Sequence, residues 1–434
     1  MNIIAEIGTS HGGSFEKAKE LIYACKEAGA DSVKFQWVYA DEILHPDTGF
    51  VNLPGGKIPL YNRFKDLEVS PEFFQKCLEY THSLGMKFIC SPFGLKSLKE
   101  LCEIKPDALK IASPEVNHIP LLKKISEYYK KIPIILSSGV SKLGDIEKAI
   151  EILTDSTECA PENFEIESLH EKSSENFKTQ TSQKKSAEKS ENFKVNKKIS
   201  ENQNKDEPLT LLHCSTFYPT PEEEYNVKCV KTLHEIFGLP TGISDHSLNP
   251  VLVPVLSTAM GATIIEKHIT LSKKYDGLDD PVALEIQEFA FMVHCVHQTQ
   301  ALINRFENDE IAKNNGKKNL NFEISNACFQ EILNQLKESF SEEKIFACLG
   351  NGVKKLSKSE SENYGRTNRS LHYLKDLKKG HKILPGDIGI LRTEKILTQG
   401  IHPENLKLIL GSELTKDVKS GDGVQFEDFM IKDI

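Results

Sequence analysis

The strongest constraint on the fold is a repeated alternation of short apolar runs with segments of helical length. It is clearest late in the chain, where 239–246 reads Leu-Pro-Thr-Gly-Ile-Ser-Asp-His and 262–270 reads Ala-Thr-Ile-Ile-Glu-Lys-His-Ile-Thr. Each run ends in polar residues and a histidine, which is typical of two consecutive parallel strands joined by a crossover helix. If these strands are neighbours, His246 and His268 converge at one mouth of a barrel.

Further apolar runs of the same kind precede this pair. They are 2–7, 31–36, 86–90, 108–112, 132–136 and 209–214. Helical spacing predicts helices at 14–28, 71–84, 95–104, 119–130, 142–153, 225–237 and 282–305. The eight resulting β/α units predict an α/β fold, and they favour a (β/α)₈ TIM barrel over a doubly wound sheet.

The chain of 434 residues is too long for one ordinary domain. We predict a catalytic barrel at 1–305, interrupted at 155–207 by a segment rich in Ser, Glu, Lys and Asn. That composition cannot bury enough apolar surface to offset chain entropy, so we interpret it as a disordered surface insertion. A linker is predicted at 306–365, with a helix at 322–339. Short apolar runs broken by Gly and Pro turns predict a small β-rich domain at 366–434.

Composition limits the cellular setting and the partners. The net charge of −9 argues against a nucleic-acid binder that relies on a basic surface. The ten cysteines form no C-x-x-C pair, and no secretion-like segment precedes Glu6, so we predict a cytoplasmic protein. The uncharged run 247–265 contains Pro250 and Pro254, and it fits a barrel helix feeding a strand better than a bilayer span. No membrane partner is expected.

Polar residues at the predicted carboxyl ends of the strands are the candidate site, because the active sites of TIM barrels lie there. Lysines and serine hydroxyls suit a phosphate or a phosphate-ester carboxylate, although serines also end strands for local reasons. A lone buried histidine is usually structural, but two imidazoles at matching strand ends suit a metal with open positions for water or a carbonyl oxygen. The residues are Glu6, Lys34, Gln36, Ser91, Lys110, Ser113, Glu115, Ser137, Tyr218, Ser244, His246, Glu266 and His268.

Two of these assignments have alternatives. Glu6 is a candidate acid/base across the mouth, or else the partner of a buried lysine. Lys110 and Lys267 could each form a Schiff base, as barrel lysines do in some aldolases. The loop at 10–13 lacks the spacing of either nucleotide fingerprint, so no nucleotide is predicted.

Several short motifs in a fixed order resemble those of the sialic acid (N-acetylneuraminate) synthase family. The tail, with 376–380 and 410–412, resembles that family's C-terminal antifreeze-like (SAF) domain. The motifs are Ala5-Glu6-Ile7-Gly8 with His11 and Gly13, Val33-Lys34-Phe35-Gln36, Ser91-Pro92-Phe93, Lys110-Ile111-Ala112-Ser113, His213-Cys214-Ser215 with Tyr218-Pro219-Thr220-Pro221, Gly242-Ile243-Ser244-Asp245-His246, and Glu266-Lys267-His268-Ile269-Thr270.

The resemblance implies a metal-dependent condensation of phosphoenolpyruvate with an N-acyl hexosamine, which gives a nine-carbon sialic-acid-type sugar and phosphate. His246 and His268 would bind Mn²⁺, or else Mg²⁺ or Co²⁺, and Glu6 would handle the proton of the attacking water. Phosphoenolpyruvate would be held by Lys34, Ser91, Lys110, Ser113, Ser137 and Ser244. The sugar would be contacted by Gln36, Glu115, Tyr218 and Asp279.

The resemblance also implies a domain-swapped homodimer, in which the small domain closes the partner's barrel with an arginine. Arg392 is the nearest match, although its loop lacks the family's usual Arg-Pro-Gly. Further departures occur at Ser10, Thr216, Leu278 and Ala283. They affect the identity of the acceptor more than the reaction, so a pseudaminic- or legionaminic-type acid synthase is an alternative.

Two readings outside this family remain open. One is a Schiff-base aldolase or lyase on the same barrel. The other is a non-catalytic carbohydrate-binding protein that kept the fold. The joint presence of Glu6, His246 and His268 argues against the second, because a binding protein has no need of all three.

Overall fold

The computed structural model describes residues 1–53, 56–155, 208–275, 277–313 and 324–429. Its strands are β1 (Asn2–Gly8), β2 (Ser32–Trp37), β3 (Phe50–Leu53), β4 (Gly56–Pro59), β5 (Lys87–Pro92), β6 (Ala108–Ile111), β7 (Ile134–Ser137), β8 (Leu209–Cys214), β9 (Thr241–Asp245), β10 (Ile264–Thr270), β11 (Leu284–Glu285), β12 (Arg369–Tyr373) and β13 (Ile388–Arg392). Its α-helices are α1 (Phe15–Glu27), α2 (Ala40–Ile43), α3 (Leu60–Asp66), α4 (Pro71–Ser83), α5 (Leu95–Glu103), α6 (Ile119–Ser126), α7 (Leu143–Thr154), α8 (Cys229–Phe237), α9 (Leu252–Ala259), α10 (Ile286–Lys313), α11 (Asn326–Lys337), α12 (Glu342–Leu349) and α13 (Leu406–Ile409).

Eight parallel strands form a closed barrel in the order β1-β2-β5-β6-β7-β8-β9-β10, and the pairing of β1 with β10 closes it. The predicted TIM barrel is therefore confirmed. Its strands are almost wholly buried, because helices cover the outside while side chains fill the interior. In the closing pair Glu6 lies opposite His268, so the first and last strands of the barrel bring two candidate residues together.

Helix α1 illustrates how local sequence produces the outer layer. The Ser14 side chain accepts a hydrogen bond from the backbone N–H of Lys17, which satisfies one of the open donors at the start of the helix. The chain turns away at Gly29, whose φ of +87° favours glycine. The face of α1 that packs in the main core consists of Ala18, Leu21, Ile22 and Cys25.

The interior of the barrel explains where the candidate site lies. A small cluster of buried residues consists of Ile4, Ile89, Ala108, Ile135, Leu212 and Ile264. Side chains two positions apart on a strand share one face. The residues two positions further along are Glu6, Ser91, Lys110, Ser137, Cys214 and Glu266. An apolar layer thus lies beneath a polar layer at the carboxyl ends of the same strands.

The segment after the barrel contains helices that pack on it. Helix α10 continues to Lys313, beyond the predicted end at 305. Helix α11 lies within the helix predicted at 322–339, and Ile332 of α11 and Ile345 of α12 belong to the main core. Much of the predicted linker at 306–365 is therefore helical. Apart from Asp155 at one end, the predicted insertion lies outside the described residues.

The C-terminal region has a sheet and a core of its own. Strands β12 and β13 pair antiparallel, with Arg369 opposite Arg392. Its buried apolar cluster includes Leu371, Tyr373, Ile383 and Val424. Because this cluster is separate from the barrel core, we refer to the region from β12 onward as the small domain. Within the residues that the structure describes, every helix is too short or too polar to cross a membrane.

Candidate active site

A pocket opens at the carboxyl ends of the barrel strands, where the predicted site residues converge. It is lined by Glu6, Lys34, Gln36, Ser91, Phe93, Lys110, Ala112, Ser113, Pro114, Ser137, Tyr218, Ser244, His246, Glu266 and His268. Of the predicted catalytic and substrate residues, Glu115, Asp279 and Arg392 are not among those that line it. The parallel barrel thus brings together side chains that are more than 250 positions apart in sequence, such as Glu6 and His268.

A buried ionic cluster forms one wall of this pocket. Glu266 accepts hydrogen bonds from Lys110 at 2.8 and 3.0 Å, and it lies 3.3 Å from the ammonium of Lys34. Lys34 also lies 3.2 Å from Glu6, whose other carboxylate oxygen accepts a hydrogen bond of 2.8 Å from Gln36. Glu6 is therefore the partner of a buried lysine and also lines the pocket, while its acid/base role stays a prediction.

Burial and ion pairing shift the pKa values of this cluster in opposite directions. Burial alone would raise the pKa of Glu266, but Lys110 and Lys34 outweigh it and hold that pKa well below its usual range. Burial would lower the pKa of Lys34, but Glu266 and Glu6 raise it. For Lys110 burial prevails, and its pKa is lowered. Glu266, a candidate site residue to which the sequence gave no specific part, holds both lysines in the pocket.

Two hydroxyls of the pocket have no hydrogen-bond partner among the described residues. They are Ser91 Oγ and Ser137 Oγ, both of them buried. A buried polar group without a partner is costly, so such groups commonly mark a place where a ligand binds. Ser113 Oγ accepts the backbone N–H of Gly139 at 3.0 Å, which draws the loop after β7 toward the pocket. Free hydroxyls beside two ammonium groups can bind an anion.

The imidazole of His246 has a defined tautomer. Its Nδ1 lies 2.7 Å from the carbonyl oxygen of Ser215, which can only accept a hydrogen bond, so Nδ1 carries the proton. Burial would lower the pKa of His246, but Cys214 and the Ser215 carbonyl outweigh it and raise that pKa. In the neutral ring Nε2 is an acceptor, and it lies 3.1 Å from the hydroxyl of Tyr218, a pocket residue. The Tyr218 ring stacks on the imidazole at 4.1 Å, and Tyr225 holds the backbone N–H of His246 at 2.6 Å.

His268 offers a second imidazole. Its ring centre lies 5.5 Å from that of His246, and its buried Nδ1 has no hydrogen-bond partner among the described residues. Burial lowers the pKa of His268 to about 3, so the ring is neutral at physiological pH, which is the form that binds metals. Asp279 lies 3.7 Å from this Nδ1, and burial raises its pKa to about 6.

The two imidazoles fit a divalent-metal site that is open to substrate. Among the described residues no group of three or more His, Cys, Asp or Glu side chains is arranged to hold a metal. Protein ligands would therefore be His246 and His268, and the remaining positions would be taken by water or substrate oxygens. Cys214 lies 3.8 Å from His246 Nδ1, but that nitrogen is directed at Ser215.

Glu115 and Arg392 meet beside the pocket, in a contact between the barrel and the small domain of the same chain. Glu115 is fully buried and accepts hydrogen bonds from Arg369 at 2.6 Å and from Arg392 at 2.8 Å. Burial would raise the pKa of Glu115, but the two arginines outweigh it and lower that pKa. We call these three residues the arginine clamp. Arg392 also lies over the ring of Phe93, a pocket residue, at 5.3 Å.

The sequence reasoning did not single out Arg369. Arg369 has no exposed side-chain surface, and it donates to the carbonyl oxygens of Phe93, Glu42 and Ile390 as well as to Glu115. The only local signal was an arginine at the start of the first strand of the small domain. Its role became visible only when the two domains were seen in contact.

Two models of known protein families match this chain. A model of the NeuB family matches residues 21–308, and a model of the SAF domain matches residues 368–430. The N,N'-diacetyllegionaminic acid synthase of Legionella pneumophila is 28% identical, with 98% of this chain and 93% of that protein covered. The pseudaminic acid synthase of Campylobacter jejuni serotype O:2 is also 28% identical, over 98% of this chain and 96% of that protein.

Two solved structures are similar to most or all of this chain. The spore coat polysaccharide biosynthesis protein SpsE of Bacillus subtilis has a TM-score of 0.67 and 25% identity, and the match covers 100% of this chain and 96% of that one. The N-acetylneuraminic acid synthetase of Leptospira borgpetersenii has a TM-score of 0.52 and 26% identity, over 78% of this chain and 92% of that one.

Proposed function

The chain belongs to the NeuB family, and on that premise we propose that it condenses phosphoenolpyruvate with an N-acyl hexosamine. In the balanced reaction C3 of phosphoenolpyruvate bonds to the aldehyde carbon of the open-chain hexosamine, water adds at C2, and phosphate leaves. The product is a nine-carbon sialic-acid-type sugar. The observation that carries the proposal is one pocket that combines paired lysines, unpartnered hydroxyls, two imidazoles and a carboxylate.

The donor side of the pocket supports phosphoenolpyruvate. Its phosphate and carboxylate require several donors with little steric bulk, and lysine ammonium groups with serine hydroxyls supply them. The residues proposed to hold it are Lys34, Ser91, Lys110, Ser113, Ser137 and Ser244. The ion pairs of Lys34 and Lys110 with Glu266 keep both ammonium groups at the pocket wall before the substrate arrives.

The acceptor side is proposed to hold a divalent ion and the sugar. His246 and His268 would bind Mn²⁺, or else Mg²⁺ or Co²⁺, and the bound ion would polarise the aldehyde of the sugar. Glu6 would take the proton of the attacking water, held in place by the hydrogen bond from Gln36. Gln36 and Tyr218, with Asp279 next to His268, are the proposed sugar contacts.

The identity of the sugar is the open part of this proposal. Relatives at similar identity are named for legionaminic and pseudaminic acids, and one for N-acetylneuraminate 9-phosphate in Drosophila melanogaster at 23%. A legionaminic- or pseudaminic-type product is therefore a proposal of equal standing with N-acetylneuraminate. The difference lies in the substituents of the hexosamine rather than in the bond that forms.

A Schiff-base aldolase or lyase has less support. A lysine that forms an imine needs a free amine facing the substrate. Lys110 lines the pocket but is hydrogen-bonded to both oxygens of Glu266. Lys267 points away from the pocket and donates to Asp245 and Ser247.

Phosphate release tests the proposed reaction directly. Phosphoenolpyruvate is incubated with a panel of N-acyl hexosamines, including 2,4-diacetamido sugars, with Mn²⁺ or with EDTA. We expect metal-dependent release that requires one sugar and falls by at least about a hundredfold in His246→Ala. Release that persists in EDTA would remove the metal from the proposal. Trapping of a pyruvate adduct by borohydride, lost in Lys110→Met, would instead identify the aldolase.

A further inference from the structure

A segment after the barrel crosses the loops that follow β7 and β8. We call residues 354–368 the strap. Lys354 donates to the carbonyl oxygen of Ser138 at 2.8 Å, which anchors the strap to the loop after β7. Asn363 donates to the carbonyl oxygen of Thr216 at 3.0 Å, which anchors it to the loop after β8. The strap therefore contacts two neighbouring loops of the candidate active site through their backbones.

Glu360 joins these two loops with a single oxygen atom. Its side chain is 1% exposed, and Oε1 accepts the backbone N–H of Val140 at 2.5 Å and that of Thr216 at 2.7 Å. Hydrogen bonds to a carboxylate are stronger than those between neutral groups. Because both donors are backbone atoms, the carboxylate fixes the paths of the loops rather than single side chains.

The loop after β7 needs such support because its backbone is strained. Val140 has a φ of +40°, a region that β-branched residues rarely adopt. The strap holds both polar groups of this residue, since Glu360 accepts its N–H and Asn368 donates to its carbonyl oxygen at 3.0 Å. Without those partners the chain after Ser137 would be expected to relax.

One loop adjoins a proposed donor to phosphoenolpyruvate, and the other orients a proposed metal ligand. The loop after β7 directly follows Ser137, the last residue of the strand, whose free hydroxyl lines the pocket. The loop after β8 contains Ser215, whose carbonyl oxygen sets the tautomer of His246. The loops also touch, since a Cβ added at Gly139 would collide with Thr216 Oγ1. A shift of either loop would change the distance between the anion donors and the imidazoles.

We infer that Glu360 is a positioning residue, which sets the loop of Ser137 relative to the loop that orients His246. This inference rests on the proposed function. The simpler explanation is that Glu360 only stabilises a turn of the strap. Its N–H does donate to Ser357 Oγ at 3.2 Å, but the contact of its carboxylate with Ser357 N is a long one of 3.5 Å through Oε2. The short bonds of Oε1 go to the barrel loops.

Three variants separate these explanations. Glu360→Ala removes both bonds to the loops, whereas Glu360→Gln keeps a carbonyl oxygen that can accept from Val140 and Thr216. The control is Glu224→Ala, because Glu224, further along the loop after β8, accepts the N–H of Ser359 at 2.8 Å and so anchors the same strap by a bond other than those to Val140 and Thr216. All three are compared as full-length, folded protein.

The first readout is steady-state phosphate release. In Glu360→Ala we expect kcat to fall by about tenfold or more and KM for phosphoenolpyruvate to rise, because small displacements of positioned groups are costly. Glu360→Gln should stay within about threefold of the unaltered enzyme. Glu224→Ala should keep both constants even where it lowers the melting temperature. Equal kinetics in Glu360→Ala and Glu224→Ala would overturn the inference.

The second readout does not depend on activity. Amide hydrogen exchange of peptides covering 137–141 and 215–217 should be faster in Glu360→Ala than in Glu224→Ala or Glu360→Gln. If the unaltered protein releases no phosphate with any acceptor, the proposed function fails, and exchange alone decides whether Glu360 holds the loops. Unchanged exchange in both peptides would show that it does not. Faster exchange with unaltered kcat and KM would assign Glu360 a purely structural role.

Discussion

At the scale of single residues, the direction of a side chain on its strand decides its role. Glu266 and His268 lie two positions apart on β10, so both point into the barrel, whereas Lys267 between them points out. The sequence had already placed Glu266 among the candidate site residues, and the same alternation could have excluded Lys267 as an imine-forming lysine. What it could not supply was the partner of Glu266, because Lys34 and Lys110 lie on other strands.

The balance of charge in the pocket leads to a prediction for Glu266→Gln. This change leaves Lys34 and Lys110 buried with one carboxylate fewer, so we expect the free energy of unfolding to fall by about 3–5 kcal/mol. An anion in the pocket would replace the missing charge. Inorganic phosphate should therefore raise the melting temperature of Glu266→Gln more than that of the unaltered protein, measured by thermal unfolding in EDTA.

Asp245→Asn is the matched control for this prediction. Asp245 pairs with the buried Lys267 at 2.6 Å, outside the pocket. This variant should also lose stability, but phosphate should add no more to it than to the unaltered protein. An equal phosphate effect in both variants would mean that the lysines of the pocket are not the anion site.

At the scale of elements, the arginine clamp is the main polar contact between the small domain and the barrel. Arg369 at the start of β12 and Arg392 at the end of β13 face each other across the sheet, and they converge on Glu115 after β6. Pairing of these two short strands thus creates the site for one carboxylate. The family resemblance implied that Glu115 contacts the sugar and that Arg392 closes the partner's barrel, but it did not imply that the two residues pair with each other.

Glu115→Gln tests how much the clamp stabilises the protein. The variant leaves two buried guanidinium groups without a carboxylate, so we expect the urea midpoint at pH 7 to fall, by an amount equivalent to about 3–5 kcal/mol. Glu394→Gln is the control, since Glu394 lies 4.0 Å from Arg392 within the small domain and does not contact Glu115. Its effect should be much smaller. Equal urea midpoints for Glu115→Gln and Glu394→Gln would mean that the ion pairs of the arginine clamp do not stabilise the protein.

The pH dependence of this effect has a defined sign. Because the pKa of Glu115 is lowered in the folded state, its stabilisation is present above the unfolded value of 4.5 and is lost as the pH falls through the folded value. The difference in midpoint between Glu115→Gln and the unaltered protein should therefore narrow below pH 4.5. A difference that stays constant down to pH 3 would show that packing, not the charge, is responsible.

At the scale of the whole molecule, the arrangement of the small domain determines whether one chain forms a complete active site or whether two chains are needed. In this single chain Arg392 reaches Glu115 of its own barrel. We nevertheless retain the proposal of a domain-swapped homodimer, in which the same contact would form between two chains. The proposal predicts a result that a self-contained monomer cannot produce.

Mixing two inactive variants provides that test. His246→Ala and Arg392→Ala are unfolded together, refolded at equal concentration and assayed for phosphate release. With exchanged domains, half of the dimers would be mixed, and one of their two sites would have both residues. About a quarter of the unaltered activity should then return. No recovery, when each variant alone refolds and the unaltered protein recovers fully, would mean that each barrel is served by its own small domain.

The sequence by itself determined the barrel and the composition of its mouth. Alternating apolar runs and helical segments predicted eight β/α units, and the two-residue repeat of a strand carried Glu6, Ser91, Lys110 and Ser137 to the carboxyl ends. These features follow from local periodicity, which reads directly from the order of residues. The anion donors and the histidine pair could therefore be predicted before the fold was known.

Only the tertiary structure decided how these groups are paired and held. The links of Glu266 with two lysines, of Glu115 with two arginines and of Glu360 with two loops each join elements that are far apart in the chain. The sequence names the donors and acceptors but not their distances, because those distances arise only when the barrel closes and the later segments pack against it. Closure of the barrel therefore brings these residues together in one pocket, where their ion pairs form.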